Sequence, residues 1–328
     1  MGELILTGAR PTGALHLGHY VGALRKFAGI QHEGESYFII SDLHFLTSRC
    51  AKSEIAKLKD NAIKMMIDSL AIGLSFNNTH FYLQSRIPEA PQIYVLIQNL
   101  ITVERAYQNP ALSAVSAQPA DLGLPFGLLG YPILEAADII GMQADKVVVG
   151  KDNVDHLNVT CELVDRLNTG FDTKLKTPVC VTDRYNDVVG LDGRWKMSKS
   201  LNNAVYLSDT QSDIDQKLSD CPWHAYCDRN HKNAVIEYIR IFDGDEKRVA
   251  EICRRFENGE IAEGEARDLA KDVLNRTLSP IREKIAAYEE DRSLIESKLE
   301  EGTLMAREII RASLSHIKSS MGMPPELA

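Results

Sequence analysis

The stretch Leu4-Ile5-Leu6-Thr7-Gly8-Ala9-Arg10-Pro11-Thr12-Gly13-Ala14-Leu15-His16-Leu17-Gly18-His19 decides how this chain folds. Glu3 to Thr7 is a short apolar strand that stops at Gly8, and Leu17 to Ala28 keeps the apolar spacing of a helix. Strand, glycine turn and helix in that order place the turn at the C-terminal edge of an open α/β sheet, where ligands bind. Two glycines allow a tight backbone and close ligand approach. The start of the next helix offers unpaired amides and a positive dipole end to phosphate.

Outward from this unit the alternation continues. Ser36 to Ile40, His80 to Leu83 and Val147 to Gly150 read as further strands. Ser53 to Ala71, with Ser53 as its cap, and Asp152 to Leu167 read as helices. Strands alternating with helices predict a Rossmann-like, doubly wound parallel sheet covered on both faces. A helical insertion at about 85–143 joins its halves: Pro88 to Tyr107 and Gly127 to Gln143 are helical, and Asn109 to Pro125, with three prolines, is a loop. Past residue 205 only Glu-, Lys- and Arg-rich helices remain. The expected division is 1–205 for the α/β part and 206–328 for an all-helical part, whose last helix, about Thr303 to Ser320, is free to pack back on the first. No internal repeat or low-complexity tract is evident.

The bulk composition excludes several classes. The chain has 328 residues, 44% of them hydrophobic, enough for a well-buried core. No apolar run approaches the roughly 18–20 residues of a membrane span. The N-terminus carries Glu3 rather than a basic region, so it does not read as a secretory signal. Six cysteines lack a disulfide-like spacing, which predicts reduced thiols and a cytoplasmic location. A formal net charge of −9 rules out indiscriminate binding of polyanions. Any RNA contact must use a local basic patch: Lys196 and Lys199 qualify, whereas Arg307, Arg311 and Lys318 read first as a solvated helix face. Cys221, His224, Cys227 and His231 give C-x2-H-x2-C-x3-H, which is not a standard zinc spacing. With Pro222 and Trp223 between the first two, this reads as a compact loop, and no metal site is expected.

Two motifs carry the chemistry. His16 and His19 lie three apart around Gly18, on one face of the incipient helix, so both can reach one ligand. Lys196-Met197-Ser198-Lys199-Ser200 puts two lysines and two hydroxyls in five residues, a loop suited to closing on a pyrophosphate leaving group. Together they predict a site that holds a nucleoside triphosphate.

The pair, in this order, resembles the signatures of class I aminoacyl-tRNA synthetases. The segment Gly8 to Tyr20 is similar to the opening of the bacterial tryptophanyl enzymes. So are Asp42-Leu43-His44-Phe45-Leu46-Thr47, Tyr131-Pro132-Ile133-Leu134-Glu135-Ala136-Ala137-Asp138-Ile139 and Val149-Gly150-Lys151-Asp152-Asn153-Val154-Asp155-His156-Leu157. The resemblance is strong from residue 4 to about 207 and weaker beyond. It implies activation of L-tryptophan with ATP and Mg2+, transfer to tRNA(Trp), and a homodimer. It places Arg10, Pro11, Thr12, Gly18 and His19 on ATP, and Gly150, Lys151 and Asp152 at the ribose. Val188 and the loop Lys196, Met197, Ser198, Lys199 and Ser200 hold the remaining nucleotide. It makes His16, His19, Lys196 and Lys199 catalytic. Leu6, His44, Tyr131, Glu135, Asp138, Val147, Val149 and Asn153 would line the amino-acid pocket. An indole is apolar with one donor, so it needs an apolar slot and one acceptor, which Asp138 supplies among Ile133, Ile139, Val147 and Val149.

Three positions depart from the family pattern: Arg10 stands for Gln, Lys151 for an acid and Glu135 for Met. Glu135 faces the aromatic pocket or turns to the substrate's amino group. An acceptor at Asp138 serves a phenol as well as an indole, so a tyrosyl-type activity stays open. So does a non-catalytic paralogue in RNA binding or regulation. A nucleotidylyltransferase would share the histidine turn but needs neither Asp138 nor a helical C-terminal part.

Overall fold

The computed structural model describes residues 2–47, 49–108, 125–183, 185, 188–194, 196–223 and 232–324. Five parallel strands, β1 (Leu4–Ala9), β2 (Glu35–Ile40), β3 (Thr79–Leu83), β4 (Lys146–Val148) and β5 (Val179–Val181), form one sheet in the order β3-β2-β1-β4-β5. The chain runs outward from β1 to β2 and β3, then returns to the other side of β1 for β4 and β5. That reversal opens a crevice between the C-terminal ends of β1 and β4, where an open α/β sheet binds its ligand. The short edge strand β5 does not stand out from the hydrophobic pattern of the sequence, because Val179 and Cys180 are exposed.

Alternation along the strands sorts their side chains onto two cores. Ile5, Phe38, Ile40 and Phe81 face one way, joining Leu24, Phe27, Met65 and Met66 and, continuously, Leu207, Ile214, Ile239 and Leu274 from the C-terminal helices. Leu4, Leu6, Tyr37, Ile39, Tyr82 and Val147 face the other, against Ile93, Ile140, Leu163 and Leu167. The sheet is therefore covered on both faces, as a doubly wound fold requires.

Helix boundaries depart from the pattern at several places: Tyr20–Leu24 is a π-helical segment inside the first helix, and Pro88 to Tyr107 breaks after Ile97. Ser53 is not a cap: a short helix, Lys52–Ile55, starts after Ala51, and the long one is Leu58–Ala71. Lys52 to Ile55 bury no side chain, so nothing holds this polar turn in line with the amphipathic helix after it. The insertion holds helices Glu89–Ile97, Val103–Tyr107 and Phe126–Met142, and the loop expected at 109–124 lies outside the described residues.

The terminal helix, Arg292–Ser320, crosses the β3 edge of the sheet. Ile295 belongs to one core, whereas Ala306, Ile310, Leu314 and Ile317 belong to the other. Thr303 Oγ1 accepts the Leu83 N–H at 3.1 Å, satisfying an edge donor. Contact is so close that a Cβ at position 302 would meet the Phe81 carbonyl oxygen at 2.2 Å, so only Gly302 fits. Arg307 pairs with the buried Glu89, Arg311 with Glu308, and Lys318 donates to Gln92. The basic residues of this helix are thus engaged within the chain itself.

Candidate active site

The two histidines cap their own helix. His16 Nδ1 accepts the Gly18 N–H at 3.1 Å, and His19 Nδ1 accepts the His16 N–H at 3.2 Å, with ring centroids 3.8 Å apart. A Cβ at Gly18 would lie 2.9 Å from the His16 ring, so this glycine is demanded by the folded-over imidazole. With both Nδ1 atoms accepting from the backbone, each neutral ring carries its proton on Nε2, a donor held ready for an anionic oxygen. Burial lowers His16 to about 4, with Lys199 and Lys196 adding to the effect. His19 is held well below its ordinary value by burial, then by His16 and the cations Lys199, Arg10 and Lys196.

The lysine loop packs directly against this turn. Leu15 to Leu17 pair with Val205 to Leu207: Leu17 N–H donates to Val205 O at 3.0 Å, and Leu207 N–H to Leu15 O at 3.0 Å. Met197 is buried, and its N–H donates to the carbonyl of buried Val188 at 2.9 Å. Lys199 Nζ donates to Thr12 Oγ1 at 3.1 Å, which joins the two motifs across 187 residues. Burial, reinforced by Arg49 and Lys64 and opposed by Asp68, lowers Lys199 to about 8. Ser198 and Ser200 hydroxyls lie 2.9 Å apart, and Lys196 and Ser200 are exposed. Arg10, Pro11 and Thr12 form the turn beside them, with the Thr12 N–H on Arg10 O.

Past β4, Gly150 precedes a one-turn helix, Lys151–Asn153, that runs into the helix Val154–Phe171. The side chain of Asp152 lies outside the described groups. On the neighbouring wall, Asp138 is buried. Its Oδ2 accepts from Gln84 Nε2 at 2.6 Å and stands 3.4 Å from His44 Nε2. Burial raises the Asp138 carboxyl, against the lowering effects of His44 and Gln84. Leu6 and Val147 are paired neighbours on β1 and β4 and share an apolar cluster with Val149, Ile133 and Ile139. Glu135 turns to His156: its Oε2 is 3.1 Å from His156 Nδ1, and His156 Nε2 is 2.6 Å from the Tyr131 hydroxyl. Both groups stand at the C-terminal ends of parallel strands: the histidine turn follows β1, and Gln84, the partner of Asp138, follows β3.

The sequence matches the family described as tRNA synthetases class I (W and Y) over residues 4–295. The chain belongs to that family. The tryptophan–tRNA ligase of Treponema pallidum (strain Nichols) is 38% identical to it over 97% of this chain and 96% of that one. The tryptophanyl-tRNA synthetase of Mycoplasma pneumoniae shares its fold with a TM-score of 0.84, at 22% identity, over 99% of each chain. The Campylobacter jejuni tryptophanyl-tRNA synthetase, crystallised with ADP and tryptophan, superposes with a TM-score of 0.79 at 25% identity, over 98% of this chain and 100% of that one.

In this synthetase the structure sets behind the site residues four supporting side chains that the sequence pattern does not single out. Gln84, at the C-terminal end of β3, accepts the Leu43 and His44 N–H groups with Oε1 while its Nε2 serves Asp138. A polar residue closing an apolar strand was its one signal. His156 lies inside a quoted motif, but its link to Tyr131 is tertiary. Asn203 Oδ1 accepts the Ser198 N–H at 2.7 Å while its Nδ2 reaches Asp192 and the Lys196 carbonyl. Asp68 holds the Leu15 N–H at 2.8 Å from a helix 53 residues away. Cys221 is buried and donates to the Leu191 carbonyl, whereas His224, Cys227 and His231 lie outside the described residues.

Proposed function

We propose that the chain activates L-tryptophan with ATP, releasing pyrophosphate, and transfers the tryptophanyl group to tRNA(Trp). The observation that carries this reading is Asp138, a buried carboxylate bonded to Gln84 at the same strand-end edge of the sheet as the histidine turn. Relatives named tryptophan–tRNA ligase, at 38% and 34% identity, support the same substrate. The indole N–H would donate to Asp138, with Leu6, Val147 and Val149 as walls and His44 and Tyr131 closing the pocket. Tyr131 and Asn153 would receive the α-ammonium. The tryptophan carboxylate then attacks the α-phosphorus, and the bond to the β-phosphate oxygen breaks. His16 and His19 donate Nε2–H to phosphate oxygens, while Lys196 and Lys199 take up the charge growing on pyrophosphate. Positioning and electrostatics suffice, without a covalent enzyme intermediate. In the second step a terminal hydroxyl of the tRNA attacks the activated carbonyl and AMP leaves.

Gly150 and Lys151, at the mouth of the Val154–Phe171 helix, would face the ribose together with Asp152. Mg2+ is part of this proposal as an ion carried by the nucleotide. Among the described residues no three His, Cys, Asp or Glu side chains converge as a metal cage, so phosphate oxygens and water would hold it, and no step above is routed through it. Residues 1–205 would be the catalytic part and 206–328 the part that reads the tRNA. A homodimer is supported by the apolar side chains that the insertion leaves exposed: Val95, Val103, Tyr107 and Phe126. None of the described helices is long and apolar enough to cross a membrane.

Amino-acid-dependent ATP–pyrophosphate exchange, with tryptophan and tyrosine side by side, tests the reading. Exchange with tryptophan alone is expected. Exchange with tyrosine alone would move the chain to the tyrosyl branch, and exchange with neither would mark a non-catalytic paralogue.

A further inference from the structure

Asn203 is buried beneath the lysine loop, with both ends of its side-chain amide engaged. Oδ1 accepts the Ser198 N–H at 2.7 Å. Nδ2 donates to the Lys196 carbonyl at 3.2 Å and to Asp192 Oδ1 at 2.8 Å. These partners fix which way the amide points. A backbone N–H only donates and a backbone carbonyl only accepts, and Asp192 Oδ1 already accepts the Arg194 N–H at 3.2 Å. Turning the amide over would set like against like at all three contacts. The main chain of Asn203 adds a further tie, its carbonyl accepting the Leu191 N–H at 2.8 Å.

The space around the amide is shaped for it. A Cβ at Gly190 would lie 2.0 Å from Asn203 Nδ2 and 2.7 Å from Asp192 Oδ1, so a side chain at 190 and the amide exclude each other. The bonds fall beside both lysines of the motif: on the carbonyl of Lys196 itself and on the N–H of the residue before Lys199. Met197, between them, is buried with its N–H on Val188 O at 2.9 Å. The backbone is thus held from below at Lys196, Met197 and Ser198, while Lys199 Nζ reaches Thr12 on the nucleotide turn. Donors that stabilise developing charge act best when already in place, and they stay in place only where a supporting shell holds them.

We infer that Asn203 is a positioning residue: its amide clasps the backbone of the lysine loop, so that Lys196 and Lys199 meet the pyrophosphate without first ordering the segment that carries them. The inference rests on these lysines taking up the leaving-group charge and deepens that reading by naming what holds them. Asn203 touches no substrate in this scheme. Its loss should therefore appear in the chemical step and depend on the lysines being present.

The test is steady-state ATP–pyrophosphate exchange with the full chain. Asn203→Ala should lower kcat about 30-fold, the combined worth of two ordinary hydrogen bonds, and leave KM for tryptophan within about twofold. In a background of Lys196→Ala with Lys199→Ala the same substitution should add nothing. Asn203→Asp meets Asp192 and the Lys196 carbonyl with lone pairs and should cost about 100-fold. Adding Asp192→Asn returns a donor between the two side chains and should recover about tenfold. If Asn203→Ala does not fold, Gly190→Ala displaces the amide without removing a polar group and carries the same expectation. An Asn203 effect that persists without the lysines would show a merely structural role and overturn the inference, as would unchanged kcat or a swap that recovers nothing. Limited trypsin digestion gives a readout independent of activity. Cleavage after Lys196 and Lys199 should be about tenfold faster in Asn203→Ala, because it follows the population of the opened segment, and equal rates would overturn the clasp. A wild-type chain without exchange would overturn the activity reading, and digestion would then decide the clasp alone.

Discussion

Asp138 and Lys199 mark two regions at the C-terminal edge of the sheet with contrasting electrostatics. Around Asp138, a carboxylate is buried and answered within the protein by the Gln84 amide and the His44 ring. Around Lys199, groups of like sign crowd together: His16 and His19 are held neutral by burial and by the lysines, and Lys199 itself is lowered to about 8. The first region is complete without ligand. The second stores unfavourable charge that a polyanion relieves, because a triphosphate would raise the proton affinity of each of these groups. A pocket that must discriminate needs fixed partners. A site that must stabilise a charge appearing during reaction gains from being electrostatically unsatisfied beforehand.

The most severe way to break this contrast is to remove the cation. Lys199→Ala should lower the rate of tryptophan-dependent ATP–pyrophosphate exchange by about 100- to 1000-fold, the usual effect of losing one donor to transition-state charge. Tryptophan affinity, read by calorimetry, should stay within twofold. Asp138→Ala attacks the other region. It removes the acceptor of Gln84 and His44, and kcat/KM for tryptophan should fall about 100-fold while ATP still binds. Retained exchange in this variant would mean that the indole sits elsewhere.

A third change leaves both regions intact and tests the frame that holds them. Gly302→Ala pushes a methyl against the Phe81 carbonyl, a backbone atom that cannot swing away. Overpacking of this kind costs about 1–3 kcal/mol. The urea midpoint should drop accordingly, with kcat for exchange nearly unchanged at low denaturant.

The smallest effect concerns Asp68, which lies beneath the histidine turn and is raised to about 6 by burial. Between about pH 4 and pH 6 the folded carboxyl keeps a proton that the unfolded chain has lost, so stability falls as pH rises through this window. Asp68→Asn still offers an oxygen to the Leu15 N–H but cannot titrate. The difference in unfolding free energy between variant and wild type should therefore shift by about 1–2 kcal/mol between pH 4 and pH 6.5. His16 acts with the opposite sign, losing stability as pH falls from about 6.5 towards 4, since its folded value is depressed. An Asn variant that keeps the wild-type pH profile would show that Asp68 is not strained by its burial.

Much of this was readable in the chain itself. Local periodicity marked β1, β2 and β3 and the long helices, because an alternating or 3.6-residue apolar pattern is a property of neighbours in sequence. The histidine and lysine motifs were readable for the same reason: each packs its chemistry into four or five residues, and their mutual order resembled one family. Ser53 was misread because a polar first turn looks like a cap whether or not the helix continues, and β5 escaped because it is exposed and three residues long.

The tertiary structure alone decided how distant groups answer one another. That Lys199 rests on Thr12, that Asp68 anchors Leu15, that Gln84 satisfies Asp138 and that Glu135 addresses His156 rather than a ligand are pairings between elements. A buried polar atom must find a partner wherever the fold puts one, and no spacing in the sequence encodes which partner that is. The sequence by itself determined four of the five strands, their parallel arrangement and the two motifs. Packing decided the neutral state of His16 and His19, the partners of the buried polar groups, and the need for a glycine where the last helix crosses the sheet edge.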